Sequence, residues 1–166
     1  MVDPAGRSAN SNGNGLEQIL CATFERKKFT ELTQPEKRDF ERTAGAVSAV
    51  PYERWFARQV RLETGIYDAY IKSDLFVRDP VHFPLGLHIE CKWQQTPGSV
   101  DEKYAYTMLS LLQFKRPSII VLAGTGARST AVGWLRAQAA ASKGHVKFFS
   151  GTDEVVSYLN KMLTHA

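Results

Sequence analysis

A chain of 166 residues, 43% of them apolar, is long enough to bury one ordinary core, and its formal charge of +4 admits a polyanionic partner without requiring one. Cys21 and Cys91 fall in separate elements with no Cys-x-x-Cys spacing, which excludes a disulfide framework and a zinc knuckle. The N-terminus lacks a secretory apolar segment and no apolar run approaches the roughly 20 residues that span a bilayer, so the expectation is a soluble, cytoplasmic protein without membrane contact.

Residues 1–14, MVDPAGRSANSNGN, are Gly, Ser, Asn and Pro with almost nothing to bury, and are read as a disordered tail before a single domain over 15–166. From Leu16 the apolar residues Leu16, Ile19, Leu20 and Phe24 follow helical spacing, with Asn14 and Glu17 as N-cap and capping-box acid. Residues 30–48 mix charges of both signs around Pro35 and suit a second short helix or an irregular excursion.

Three strand candidates follow at 52–62, 67–77 and 85–93, separated by Thr64-Gly65 and by Arg78-Asp79-Pro80, an arrangement that reads as an antiparallel meander. Pro97-Gly98 is a turn, and Ser99 to Glu102 is a capping box for a helix that turns Val100, Tyr104, Met108, Leu111 and Leu112 inward. The run SIIVL at 118–122 is apolar throughout, as in a strand covered on both faces. A helix over 129–141, a short strand over 145–149 and a last helix capped by Thr152 complete an α/β (α+β) chain.

Within the third strand Glu90 and Lys92 stand two residues apart and share a face, while Leu87, Ile89 and Cys91 take the other. By itself that is a surface ion pair or a reaction site. On the second strand, alternation puts Tyr70, Lys72, Asp74 and Phe76 on one face, so pairing with the third strand lets Asp74 meet Glu90 and Lys92. Two carboxylates beside a lysine suit a hard cation such as Mg²⁺, which takes oxygen ligands, and suit charge compensation on phosphate. His88 shares the Glu90 face by the same alternation and is read first as a structural histidine. Gly124-Thr-Gly-Ala-Arg128 lacks the Gly-Lys-Ser/Thr ending of a phosphate loop and is read as a tight strand-to-helix connection.

Asp74, a spacing of fifteen residues, and Glu90-Cys91-Lys92 on the next strand resemble the D…(D/E)xK signature of the PD-(D/E)XK nuclease superfamily. The order helix, three strands, helix, strand resembles its restriction-endonuclease-like core, with the last helix, strand and helix as an extension. Further stretches similar to bacterial and phage members are Phe56-Ala-Arg-Gln59, Glu90 to Gln95, Gly98 to Tyr104 and Val121 to Arg128. Ser73 stands where the family's name has proline.

The resemblance implies a DNA nuclease that uses Mg²⁺, for which Mn²⁺ can substitute. It makes Asp74 and Glu90 metal ligands, with the Cys91 backbone carbonyl as a third oxygen. Lys92 assists the attacking water. Glu17 is the match to a first-helix glutamate and Gln95 to a glutamine near the substrate, while Lys103, Arg58 and Gln94 are the expected DNA contacts. A structure-specific resolvase, or a silent member that only binds nucleic acid or protein, are the alternatives. With no separate target-recognition domain evident in the chain, the resemblance leaves room for a homodimer or a place in a larger phage or defence system.

Overall fold

The computed structural model describes residues 4–96 and 101–163, with side chains from residue 15 onward and not at residue 101. Its elements are α1 (Pro4–Arg26), β1 (Thr30–Glu31), α2 (Gln34–Arg42), a 3₁₀ turn (Val47–Ala49), β2 (Trp55–Thr64), β3 (Tyr70–Asp79), β4 (Phe83–Trp93), α3 (Asp101–Leu111), β5 (Ser118–Ala123), α4 (Ser129–Ala141), β6 (Val146–Phe149) and α5 (Thr152–Met162). Six strands form one mixed sheet in the order β1-β2-β3-β4-β5-β6. The β2-β3-β4 meander is antiparallel, and β1 on β2, β5 on β4 and β6 on β5 are parallel.

Side chains on β5 explain its unbroken apolar sequence. Ile119, Val121 and Ala123 enter a core with Leu16, Leu20 and Phe24 of α1 and Val155 and Leu159 of α5. Ile120 and Leu122 enter a second core with Tyr104 and Met108 of α3 and Leu135 of α4. The strand is therefore covered on both faces, as its composition predicts. A third cluster places Phe40 of α2 on Trp55, Val60 and Phe76, with the Phe40 and Trp55 rings edge to face at 4.8 Å. Full burial of such a side chain contributes about 1.5–3 kcal/mol.

Two expectations at the N-terminus are corrected. The helix begins at Pro4, so residues 4–14 are helical and Asn14 lies inside α1 instead of capping it. A proline at the first helical position gives up only an N–H that has no partner in the helix, and each further residue is cheaper to add than the first turn. Ile19 is 45% exposed, and Cys21 takes the inward place beside Leu20. The Pro97-Gly98 turn, the Ser99 capping position and Val100 lie outside the described residues. Among the described residues, no helix is long and apolar enough to cross a membrane.

Residues 30–48 do form a short helix, α2, started by a capping box between Thr33 and Glu36 with Pro35 in its first turn. The Gly124 connection is tight. A Cβ on Gly124, whose φ is +94°, would lie 2.1 Å from the Gln94 carbonyl oxygen, and one on Gly126 would lie 2.5 Å from the Thr96 nitrogen. Only glycine lets these two chain segments touch.

Candidate active site

The site lies where the sheet opens. The β3-β4 ladder runs through Val77↔Leu87 and Phe76↔His88 and ends at Leu75↔Ile89, while β4 continues along β5 as far as Trp93↔Ala123. Asp74 and Glu90 are the first residues beyond the last β3-β4 pair. Within this fork the Asp74 Oδ2 accepts the Cys91 backbone N–H at 2.7 Å. A short charge-assisted bond of this kind fixes the carboxylate against the β4 backbone.

Regular alternation fails on β3 and on its neighbour β2 at this point, contrary to the simple face assignment. Ser73 and Phe76 both touch His88, although three residues apart they should face opposite sides: Ser73 Oγ lies 2.6 Å from His88 Nδ1 and the Phe76 ring meets the imidazole edge to face. Ala57 and Val60 on β2 likewise enter the same cluster. Of the two residues between them, Gln59 has φ +55° and is opposite Asp74 in the register set by Arg58↔Leu75 and Val60↔Ser73. A non-glycine residue in that region costs about 1–3 kcal/mol, and the turn it makes absorbs the break in alternation. Asp74 is thereby turned out of the Phe76 face toward α1, and its Oδ1 accepts Gln59 Nε2 at 3.2 Å.

Glu90 is 3% exposed. Its Oε2 accepts the Lys92 ammonium at 2.9 Å, and its Oε1 is buried without a hydrogen-bond partner. Burial pushes its carboxyl up to about 7, with Asp74 and Glu17 adding to the rise and Lys92 opposing it. Burial works against the Lys92 charge, yet Glu90 and Asp74 outweigh it and hold the ammonium above the usual lysine range. Glu17, half-buried on α1, is raised by burial and then by Asp74, while Gln59, Arg58 and Lys92 pull it down. The structure thus brings Asp74, Glu90, Lys92 and Glu17 within mutual electrostatic reach, an excess of carboxylates over ammonium. Among the described residues, no three His, Cys, Asp or Glu side chains close on one metal-sized point.

An orphaned buried oxygen, two carboxylates and an adjacent backbone fit a hard cation that completes its shell with water and phosphate. They do not make an all-protein cage.

The other sequence-predicted residues are placed as follows. Cys91 packs beside the α1 core as a small apolar side chain, its thiol raised by burial, and its backbone meets Asp74. Gln95 is exposed and accepts the Trp93 indole N–H at 2.9 Å. Gln94 is buried: its Oε1 accepts the Tyr104 hydroxyl and its Nε2 donates to the Thr96 carbonyl. That amide is used inside the fold, not as the substrate contact expected of it. Lys103 is exposed on α3. Arg58 pairs with Glu31 at 2.9 Å and faces Glu17.

Sequence reasoning missed Gln59 as a site residue, since a polar residue in a strand carries no mark of positive φ. It also missed the support behind β4. His88 is fully buried between Phe76 and Phe114, and Glu63 pairs with Arg116 at 2.8 Å and lies 3.8 Å from His88 Nε2. The latter distance is electrostatic contact, not a hydrogen bond. Burial would raise the Glu63 carboxyl, but His88, the Lys115 amide and Arg116 hold it down to about 2.

A mixed sheet between helices, with an Asp and a Glu-x-Lys at the fork of its meander, defines a nuclease-like architecture. The sequence model of the PD-(D/E)XK nuclease superfamily domain matches residues 8–166. The chain belongs to that superfamily, and its fold is restriction-endonuclease-like. Neither the curated proteins nor the solved structures yield a match. Membership supports a phosphodiester-hydrolysing enzyme with a nucleic-acid substrate.

Proposed function

We propose that this protein is a DNA nuclease dependent on Mg²⁺, with Mn²⁺ able to substitute. The observation that carries the reading is the fork in which the buried, half-unsatisfied Glu90 meets Asp74 and Lys92. A carboxylate oxygen without a partner is costly to bury, and a cation offsets that cost while gaining a ligand.

In this reading Asp74 and Glu90 hold the cation, with the Cys91 carbonyl as a further oxygen. The cation supplies Lewis acidity toward a phosphoryl oxygen and makes water a better nucleophile. Lys92 is kept protonated by its two carboxylate neighbours, so it does not serve as a base. Its ammonium orients the attacking water and offsets charge that develops on the phosphate. Asp74 is held in place by the Cys91 amide and Gln59 before substrate arrives, which spares reorganisation during reaction. Hydrolysis breaks one ester P–O bond and forms another to the water oxygen.

The test is incubation of purified protein with supercoiled, linear, single-stranded and branched DNA under Mg²⁺, Mn²⁺ or EDTA. Cleavage with either metal and none in EDTA is expected. Cleavage of equal rate in EDTA refutes the mechanism, and binding without cleavage under every metal condition identifies a silent member instead.

A further inference from the structure

Five non-glycine residues among those described have positive φ: Lys28, Ala44, Gln59, Asp68 and Lys143. Four lie in turns or just past helix ends, where such a backbone is ordinary. Gln59 alone lies inside a strand, opposite Asp74. Its conformation is held by ladder pairs on either side and by Lys37 Nζ, which donates to the Gln59 carbonyl at 3.3 Å. Strain kept in a strand by its surroundings is a pointer to function.

We propose that Gln59 is a positioning residue whose amide holds Asp74 and presets the acidic side of the site for a divalent cation. Its Nε2 donates to Asp74 Oδ1 at 3.2 Å while the Cys91 backbone N–H donates to Oδ2, so both carboxylate oxygens are held in place. Each oxygen keeps a lone pair for a cation. A lysine or arginine would also hold Asp74, but its positive charge would repel the incoming metal. A neutral amide holds the carboxylate and leaves its charge available. The left-handed backbone delivers it: in regular alternation Gln59 would turn to the cluster of Ala57, away from α1.

This proposal rests on the metal-dependent reading above, and its test separates the two. The full chain is compared with Gln59→Gly, which keeps the backbone conformation without the amide, and Gln59→Asn, which tolerates that backbone and keeps an amide on a shorter arm. Melting is followed in EDTA and across a Mn²⁺ titration, without DNA. The Gly variant should need about 10–100-fold more Mn²⁺ than the parent for the same thermal upshift, the range seen when a residue supporting a metal ligand is removed. The Asn midpoint should fall between the two.

A residue of merely structural use would lower melting equally in EDTA and in metal and leave the Mn²⁺ midpoint unchanged, which overturns the proposal. An Asn midpoint equal to that of Gly overturns the assignment to the amide. Should the parent itself show no upshift with Mn²⁺ or Mg²⁺, the metal reading fails. The Gln59–Asp74 contact is then judged in EDTA by a double-mutant cycle of Gln59→Gly with Asp74→Ala. Coupled effects on melting uphold it, and additive effects overturn it.

Discussion

The pH dependence of metal-free stability gives a direct measure of the strain in Glu90. Its carboxyl titrates at about 7 in the fold against an ordinary 4.5. At about 1.36 kcal/mol per pH unit, that difference is worth at most about 3 kcal/mol. The sign follows from the raised value. Below pH 4.5 the group is neutral in both states and its contribution is present in full. Between 4.5 and 7 the unfolded chain ionises first, and stability drains away as pH rises. Above 7 the deficit is complete.

Glu90→Gln removes this titration, so relative to the parent it should gain up to about 3 kcal/mol between pH 4.5 and pH 8 in EDTA. For a chain of this size that is roughly 6–12 °C of relative melting temperature. The change with pH is the quantity to read, because any constant loss from the weakened Lys92 contact cancels in it. Saturating Mg²⁺ at pH 8 should restore the parent and leave the variant unmoved. Parallel pH profiles of parent and variant in EDTA would refute the reasoning, since they would mean that Glu90 ionises in the fold as easily as in water.

Lys92→Ala should lower kcat by about 10²–10³-fold, the loss typical of one preorganised electrostatic donor, with an unchanged circular dichroism spectrum; near-normal turnover would make Lys92 a mere partner of Glu90. Asp74→Asn should abolish cleavage yet leave DNA affinity in EDTA equal or stronger, because non-specific affinity comes from Lys and Arg on phosphate. A variant that melts early but cleaves normally when cold removes Asp74 from the metal. Gly124→Ala should cost about 1–3 kcal/mol in urea unfolding, since its Cβ would be driven into the Gln94 carbonyl. An unchanged midpoint would show that this loop shifts freely.

Much of this architecture could be read from local pattern. The order of the main elements follows from periodicity, and α4 has the limits expected of it, Ser129–Ala141, because Gly144 and the polar end of the helix punctuate it. The apolar β5 announces its double cover. Strand ends were displaced by up to three residues: β2 begins at Trp55 and β3 at Tyr70, since the hairpin tip around Asp68 is longer than Thr64-Gly65 suggests. Parallel β1 was not legible at all, because two residues, Thr30 and Glu31, carry no period and are paired by position alone. Glu17 was picked out for its place on the first helix, but the capping role given to it dissolved once α1 extended past it. Strict alternation would leave Asp74 on the Phe76 face, and the reversal at Gln59 breaks that pattern. Propensity says nothing of a positive φ imposed by neighbours.

The fork and the strain belong together. Where a strand is paired on both sides, as β4 is between β3 and β5, its backbone N–H groups are taken alternately by the two ladders and no amide is left for a carboxylate. Ending the β3-β4 ladder at Leu75↔Ile89 frees the Cys91 N–H for Asp74, and the reversal at Gln59 supplies the second donor. Glu90 remains on the paired side, next to Ile120 of β5, where burial denies it water and leaves one oxygen bare. The site is thus acidic and rigid on one side and short of a partner on the other. Burial raises Glu90 to about 7, so on the proposed metal-dependent reading proton and divalent cation would compete for that oxygen near neutral pH. Lowering the pH below 6 should therefore weaken metal binding before it disturbs the fold, since the neutral form of Glu90 is the one the fold prefers.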